Sequence, residues 1–506
     1  MKRYLSILLL TTALTGCSLA PKFDMPQTAE PAAFKEAAEL TETGSWKIGT
    51  PTAHVPRGEW WRVFEDSALN ALQAEAADKN LTVQKMVARV QQARATAGIA
   101  RSDYFPDIDG SASFNRQKPS ARMRGMAPGA NVPIENTFNT NVVVGYELDL
   151  FGRVLNRNRA AKAEAQSAEA LLESTRLAMQ ADVAELYFNL RALDREKSLL
   201  AQSVKLREDG LNILKKRLEI GTITELDISE AVVDLETTRT QYQGVVQQRK
   251  ESEHALAILL GRAPSDFKLS PAPLAKKIPS IPAGLPSALL ERRPDITAAQ
   301  YVLMAENARI GVARAAFFPS ISLTGSGGSE SDVFSKLFNW SSRTWAIGPL
   351  ISIPIFSGGE ATNTLKRQKA VYEEAVATYR LTVLESFRDV ENSLSRLKTL
   401  SNQAQAQGVA RAAASRAEKL ANARYETGDT GYLEAITARR NALAAERNVI
   451  QLQGARLQET VRLVRVLGGG WDAAAVKAAT TPVSPPEDMA PQVPSRPKNG
   501  ADHGNR

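Results

Sequence analysis

From Val183 onward, apolar residues fall at Leu186, Leu190, Leu193, Leu200, Val204, Leu211, Leu214 and Leu218, in steps of three, four or seven. That spacing stripes one side of an α-helix. Past Gly221 the alternation continues through Ile228, Val232, Leu235, Tyr242, Val246, Leu256 and Leu260, so two arms can supercoil as a hairpin. Charged residues such as Arg176, Asp182, Glu185, Arg191 and Lys205 fill the other positions, which predicts a hairpin standing in water. The arms are unequal: Arg153–Ile220 would make roughly 100 Å of helix and Thr222–Gly261 about 60 Å. The periodic segment Leu81–Phe105, about 38 Å by the same rise, would stack end to end on the returning arm.

After Pro106 the period changes to two. Ile108, Gly110, Ala112 and Phe114 alternate with Asp107, Asp109, Ser111, Ser113 and Asn115. Beyond a Pro-, Gly- and Arg-rich loop, Phe138, Val142, Val144, Tyr146 and Leu148 alternate with polar residues. Each run has the length that a tilted strand needs to cross a bilayer, with one face suited to lipid and the other to water.

The whole pattern then recurs, the strongest signal in the chain. Gly98-Ile99-Ala100-Arg101 and Tyr104-Phe105-Pro106 reappear as Gly311-Val312-Ala313-Arg314 and Phe317-Phe318-Pro319. Ile321 and Leu323, then Trp345, Ile347, Ile351, Ile353 and Ile355, mark a second strand pair. Arg217-Leu218-Glu219-Ile220-Gly221 at one tip matches Arg424-Tyr425-Glu426-Thr427-Gly428 at the other. Gly221 and Gly428 read as left-handed residues ending each descending arm, and Pro106 and Pro319 as helix-to-strand junctions.

The resulting map has a leader at 1–16 and an anchored N-terminal tether at 17–58. A first repeat occupies 59–261, with strand pair 107–149 and hairpin 153–261. A Pro-rich linker at 262–286 leads to a second repeat at 287–468, with strand pair 320–355 and hairpin 360–467. The segment 469–506 carries a Pro-, Ala- and Ser-rich tail whose composition predicts disorder. Glu59–Phe64 is expected to open a helix containing Leu69 and Leu72, with Trp60 and Trp61 as packing anchors rather than a ligand box.

The 506 residues are 43% hydrophobic and only 6% aromatic, a composition for long Ala-rich helices rather than an aromatic core. A net charge of +8 is dispersed along helices as mixed-sign pairs, so no nucleic-acid binding is expected. Lys2 and Arg3 precede an apolar run from Leu5 to Leu10 and the sequence Leu14-Thr15-Gly16-Cys17, an export signal too short to span a membrane. Its end resembles the lipobox of bacterial lipoproteins, which implies a diacylglycerol on the Cys17 thiol and an N-acyl chain. Ser18 in the next position implies sorting to the outer membrane. Cys17 is the one cysteine of the sequence, which excludes an intrachain disulfide.

Four bilayer-length strands cannot close a barrel, because the smallest transmembrane barrels have about eight. Open edges in lipid leave unpaired amides at several kcal/mol each, so the chain must oligomerise. Two copies would give a barrel filled by side chains and three a wider lumen; inward Ser, Thr, Asn and Asp favour the wider one. The long strand loops would face outside and the helices hang into the periplasm.

These features together resemble the TolC-like outer-membrane factors: the duplicated helix, strand pair and hairpin, the start Cys17-Ser18-Leu19-Ala20-Pro21, the Trp60-Trp61 pair and the tips at Gly221 and Gly428. The match is nearest to the lipoprotein branch serving resistance-nodulation-division pumps. The resemblance implies a mainly α protein with membrane β. It implies a homotrimer whose shared twelve-stranded transmembrane barrel is continuous with a twelve-helix periplasmic α-barrel. The implied partners are a periplasmic adaptor, an inner-membrane resistance-nodulation-division transporter and outer-membrane lipid. The implied role is a passive exit duct for small molecules in a tripartite efflux pump. By position in that family, Asp227, Tyr425 and Glu434 would line the periplasmic aperture, where an acidic ring attracts cations. Thr430 and Thr437 depart from the family pattern, which leaves the aperture's locking pairs open, and ordinary solvated turn charges are the competing reading.

His54, His254 and His503 lack metal-ligand spacing, and no nucleotide loop or nucleophile motif is present. No enzyme activity, cofactor or metal is expected. Two other readings are a duct for type I protein secretion and a coiled-coil envelope scaffold without a pore; the scaffold leaves the four strands unexplained.

Overall fold

The computed structural model describes residues 18–28, 31, 33–36, 59–127, 129–275, 278–279 and 293–469. Cys17, the leader, residues 37–58, most of the linker's second half and the tail from 470 lie outside the described residues. Trp60–Phe64 forms a short 3-10 turn in which Trp60 and Trp61 are buried. It does not run on into the helix expected to hold Leu69 and Leu72. Glu65 adopts φ 52, and Asp66 starts a separate helix, α1 (Ser67–Lys79), by accepting from the Ala68 and Leu69 amides at 2.9 and 3.1 Å. Asn80 repeats the device for α2 (Leu81–Ser102), its side-chain oxygen accepting from Thr82 and Val83.

Strands β1 (Asp107–Gln117) and β2 (Glu135–Leu148) follow, and β3 (Ser320–Ser331) and β4 (Arg343–Ser352) join them in one antiparallel sheet of order β1-β2-β3-β4. Ile353 and Ile355 were expected within the last strand and lie beyond it. Pro354 between them has no amide to donate and restricts the residue before it, so the ladder stops at Ser352.

Helix α3 (Arg153–Glu219) has 67 residues and its counterpart α6 (Glu360–Thr427) has 68. The returning arms, α4 (Glu225–Leu259) and α7 (Tyr432–Val466), have 35 residues each. α2 and α5 (Pro294–Ala315) have 22 each. The short helices sit on the ends of the returning arms: Asn80 Nδ2 donates to the Leu259 carbonyl at 2.8 Å, and Arg293 Nη1 to that of Val466 at 3.1 Å. Gly261, at φ 67, packs so closely on the Lys79 carbonyl that a β-carbon would collide with it.

α3 packs against α2, α4, α5 and α7, and α6 against α5 and α7. The largest apolar cluster joins Trp60, Leu69, Val83, Phe188, Leu190, Leu256 and Val461, tying the N-terminal turn to both hairpins. Ala160 and Ala163 face Ala305 and Ala308, small residues that let α3 and α5 approach closely.

Candidate functional site

Two regions carry the chemistry: the sheet, and the tips of the hairpins. Directly paired residues on neighbouring strands share a face, so the register decides what each face offers. Ile108 faces Val144, which faces Gly325, which faces Ile347. Leu148, Ile321 and Ile351 form another such row, and Phe114 pairs with Phe138. The opposite face carries Asp109, Ser111, Asn141, Ser322, Thr324 and Thr344. One side is thus mainly apolar and the other mainly polar, with Val143 and Leu350 as the apolar exceptions on the polar side. Among the described residues the outer edges of β1 and β4 have no ladder partner.

Aromatic side chains mark both ends of the sheet. Phe338, Trp340 and Trp345 are exposed at the loop end, where Arg343 lies 4.1 Å from the Trp340 ring centre. At the helix end Phe105, Phe317 and Phe356 are exposed and Phe151 stacks on Phe318 at 4.8 Å. Pro106 and Pro319 occupy the gaps between α2 and β1 and between α5 and β3.

Both descending arms end in the same motif. Gly221 and Gly428 sit at φ 76 and 81, and the next residues, Thr222 and Asp429, donate back to the Arg217 and Arg424 carbonyls at 3.0 and 2.9 Å. At the first tip Asp227 is the third residue of a capping box. Its carboxylate accepts from the Thr224 amide and hydroxyl at 2.8 Å each, and Thr224 Oγ1 accepts from the Asp227 amide. At the second tip Glu434 accepts from Arg424 at 2.8 Å and from the Thr430 hydroxyl. Thr437 only bonds back to its own helix, at the Leu433 carbonyl. The Tyr425 ring lies 5.2 Å from Tyr432 and 5.8 Å from the Arg217 guanidinium, and its hydroxyl is buried without a partner. Burial raises the Tyr432 hydroxyl above its ordinary pKa. The structure therefore groups Tyr425 with Arg217 across the two tips, while Asp227 and Glu434 are each held within their own turn.

The bond that does join the hairpins was missed in the sequence. Asp234 on α4 is 4% exposed and accepts from Arg207 on α3 and Arg440 on α7, both at 2.8 Å. It ends a ladder in which α7 arginines reach α3 acids, Arg447 to Glu196 at 2.7 Å, Arg462 to Glu185 at 3.3 Å and Arg465 to Asp182 at 3.0 Å, with Arg195 of α3 to Glu446 of α7 at 3.5 Å running the other way. Burial raises the pKa of both Glu185 and Asp182, against the lowering pull of these arginines. The available signal was the seven-residue step from Arg440 to Arg447, which keeps both on one face of a helix. Among the described residues no group of three or more His, Cys, Asp or Glu could hold a metal.

An antiparallel sheet with one mainly apolar face and, among the described residues, two unpaired edges, running into long helical hairpins with charged tips, is the architecture of membrane-inserted ducts. The chain belongs to the outer membrane efflux protein family, whose model matches it twice, over residues 72–262 and 285–469. Residues 1–18 match the prokaryotic membrane lipoprotein lipid attachment site. Outer membrane protein OprJ of Pseudomonas aeruginosa is 34% identical over 470 residues, 92% of this chain and 96% of the relative. The toluene efflux pump outer membrane protein TtgF of Pseudomonas putida is 34% identical over 473 residues, 93% of this chain and 97% of its own. Among solved structures, the Campylobacter jejuni CmeC outer membrane channel superposes with TM-score 0.82 at 27% identity, covering 90% of this chain and 96% of that one. The chain is the outer-membrane channel component of a tripartite efflux pump, and it is lipid-anchored in the outer membrane.

Proposed function

We propose that three copies share their sheet edges to close a twelve-stranded barrel, with the hairpins forming a twelve-helix tunnel below it. The observation that carries this reading is the pair of free edges on a sheet with one apolar face. In lipid such edges must be paired, and a chain contributing four strands closes a roomy barrel in three copies. Closely matched helix lengths in the two halves, and the double family match, support an internal duplication with repeats at 59–261 and 287–468. The leader ends at residue 16, Cys17 carries diacylglycerol and an N-acyl chain, and the 17–58 tether leads into the first repeat.

The duct is passive and performs no chemistry. Small molecules such as drugs or organic solvents reach it from an inner-membrane resistance-nodulation-division transporter through a periplasmic adaptor. The TtgF relative is named for toluene efflux, which supports hydrophobic cargo. Asp227, Tyr425 and Glu434 line the periplasmic end, and Asp234 with its two arginines holds the hairpins together behind it.

The test is a deletion strain. Loss of the gene should raise accumulation of a lipophilic dye, wild-type protein should restore efflux, and secreted proteins should be unchanged. Purified protein should run in detergent at the mass of three chains and conduct in planar bilayers. A single-chain mass with tight bilayers would reject the barrel.

A further inference from the structure

The N-terminal segment crosses α3 and α5 as a strap. Ser18 Oγ donates to Asn156 Oδ1 at 2.8 Å, Arg314 donates to the Leu19 carbonyl at 3.0 Å, and Asn307 Nδ2 to the Pro21 carbonyl at 2.9 Å. Beside this strap lies a cavity of about 620 Å³, within the range of small-ligand sites. Its charged lining is Lys22, Arg159 and Lys162, with no carboxylate among the lining residues, and Ala163, Met304 and Ala308 form apolar wall.

The cations are available. Arg153 and Arg157, on the same helix end, are paired with Glu147 and Asp103. Arg159 and Lys162 make no hydrogen bond or ion pair with any described residue, and Lys22 reaches Asp24 only at 3.8 Å. Asn156, wholly buried in the same wall, holds the strap through Ser18 and packs its Nδ2 against Gly311. The helix itself adds positive potential. α3 carries Arg153, Arg157, Arg159 and Lys162 before its first acid, Glu164, at the end where the peptide dipoles already disfavour cations. A bound anion offsets both.

We propose that this cavity binds the phosphodiester headgroup of an anionic phospholipid from the periplasmic leaflet, beside the chain's own lipid anchor. The inference rests on the barrel reading, which sets the sheet in the hydrocarbon. Arg159 and Lys162 then lie about 9 and 14 Å beyond the start of α3, and the headgroup layer extends roughly 5–8 Å past the hydrocarbon. Their apolar stems allow the charged ends to reach back to that layer. Arginine offers a planar fork to two phosphate oxygens and lysine a point charge. The apolar wall suits the glycerol and first methylenes of a lipid, which free phosphate would leave uncovered. The lipid attachment segment, residues 1–18, ends at the strap.

The experiment is native mass spectrometry of the full lipidated protein in neutral detergent, titrated separately with phosphatidylglycerol, phosphatidylcholine and inorganic phosphate. Wild type should retain phosphatidylglycerol at least tenfold more tightly than an Arg159→Gln/Lys162→Gln variant. Phosphatidylcholine should bind both alike, and phosphate should not compete. An Arg159→Lys/Lys162→Arg variant should retain the lipid, which separates charge from packing. Each preparation is also tested for conductance in planar bilayers. Equal retention of phosphatidylglycerol by conducting wild type and Gln variant overturns the lipid site, and competition by phosphate at equal strength assigns a free-anion site instead and overturns it as well. Protein that runs at the mass of a single chain and stays tight even with Asp227→Ala and Glu434→Ala overturns the barrel reading and the site with it.

Discussion

Asn80 and Leu259, distant in sequence, meet end to end: the Asn80 side-chain nitrogen donates to the Leu259 carbonyl at 2.8 Å while its oxygen caps α2. One residue thereby closes the start of one helix and the end of another. Asn80→Ala should destabilise the protein by about 2–4 kcal/mol, combining a lost cap with an orphaned buried carbonyl. Asn80→Ser keeps a capping oxygen and should recover about 1 kcal/mol of that loss. Thermal unfolding in detergent measures both; equal losses would mean that the cap contributes nothing, and full recovery in the serine variant would mean that the bond to Leu259 contributes nothing.

Asp234 lies between Arg207 and Arg440, and the two bonds differ in burial. The side chains of Arg207 and Arg440 are 11% and 44% exposed. Asp234→Ala leaves Arg207 buried and unpaired, at a cost of about 3–5 kcal/mol. Arg440→Ala removes only the bond between hairpins, costs about 0.5–1 kcal/mol, and should raise single-channel conductance. Unchanged conductance in Arg440→Ala would remove this seam from the closing of the tip.

Asp227 serves a cap, and its charge can be separated from that duty. Asp227→Asn retains an oxygen for the Thr224 amide and should leave stability within about 0.5 kcal/mol, whereas Asp227→Ala loses about 1 kcal/mol. Combined with Glu434→Gln, Asp227→Asn should lower cation preference, read as a reversal potential in a salt gradient. Combined with Glu434→Ala, Asp227→Ala should raise conductance. If neither pair alters the current, these two acids do not line the aperture.

Tyr187 donates to Asp66 at 2.6 Å, and burial together with that bond pushes its hydroxyl from 10.0 up to about 12. Between these values the unfolded chain has released this proton and the folded chain retains it, so stability falls as pH rises through the window and is intact below pH 10. Tyr187→Phe should cost about 1.5–3 kcal/mol at neutral pH and flatten that alkaline decline. A decline of the same slope in the variant would assign it to other groups.

What the sequence determined by itself was local. A period of 3.6 or 2 depends on neighbours within a turn or a pleat, so the arms from Arg153 and Glu360 and the alternating runs after Pro106 and Pro319 were legible. Gly221 and Gly428 were legible for the same reason, since a left-handed residue ending a periodic run is a property of the chain on either side. The break at Glu65 was not, because it depends on Asp66 finding the Ala68 and Leu69 amides and the Tyr187 hydroxyl.

Tertiary structure alone decided which charges meet. Asp227 and Asp234 are seven residues apart on one helix, yet one satisfies its own turn and the other lies buried between two arginines. Their difference follows from the rotation and axial offset of α3, α4 and α7, which are set by side chains some two hundred residues apart packing into one core. The splice at Asn80 and the register that turns four alternating runs into one apolar face have the same origin. A periodic pattern states which face a residue occupies, and only the packed chain states what that face touches.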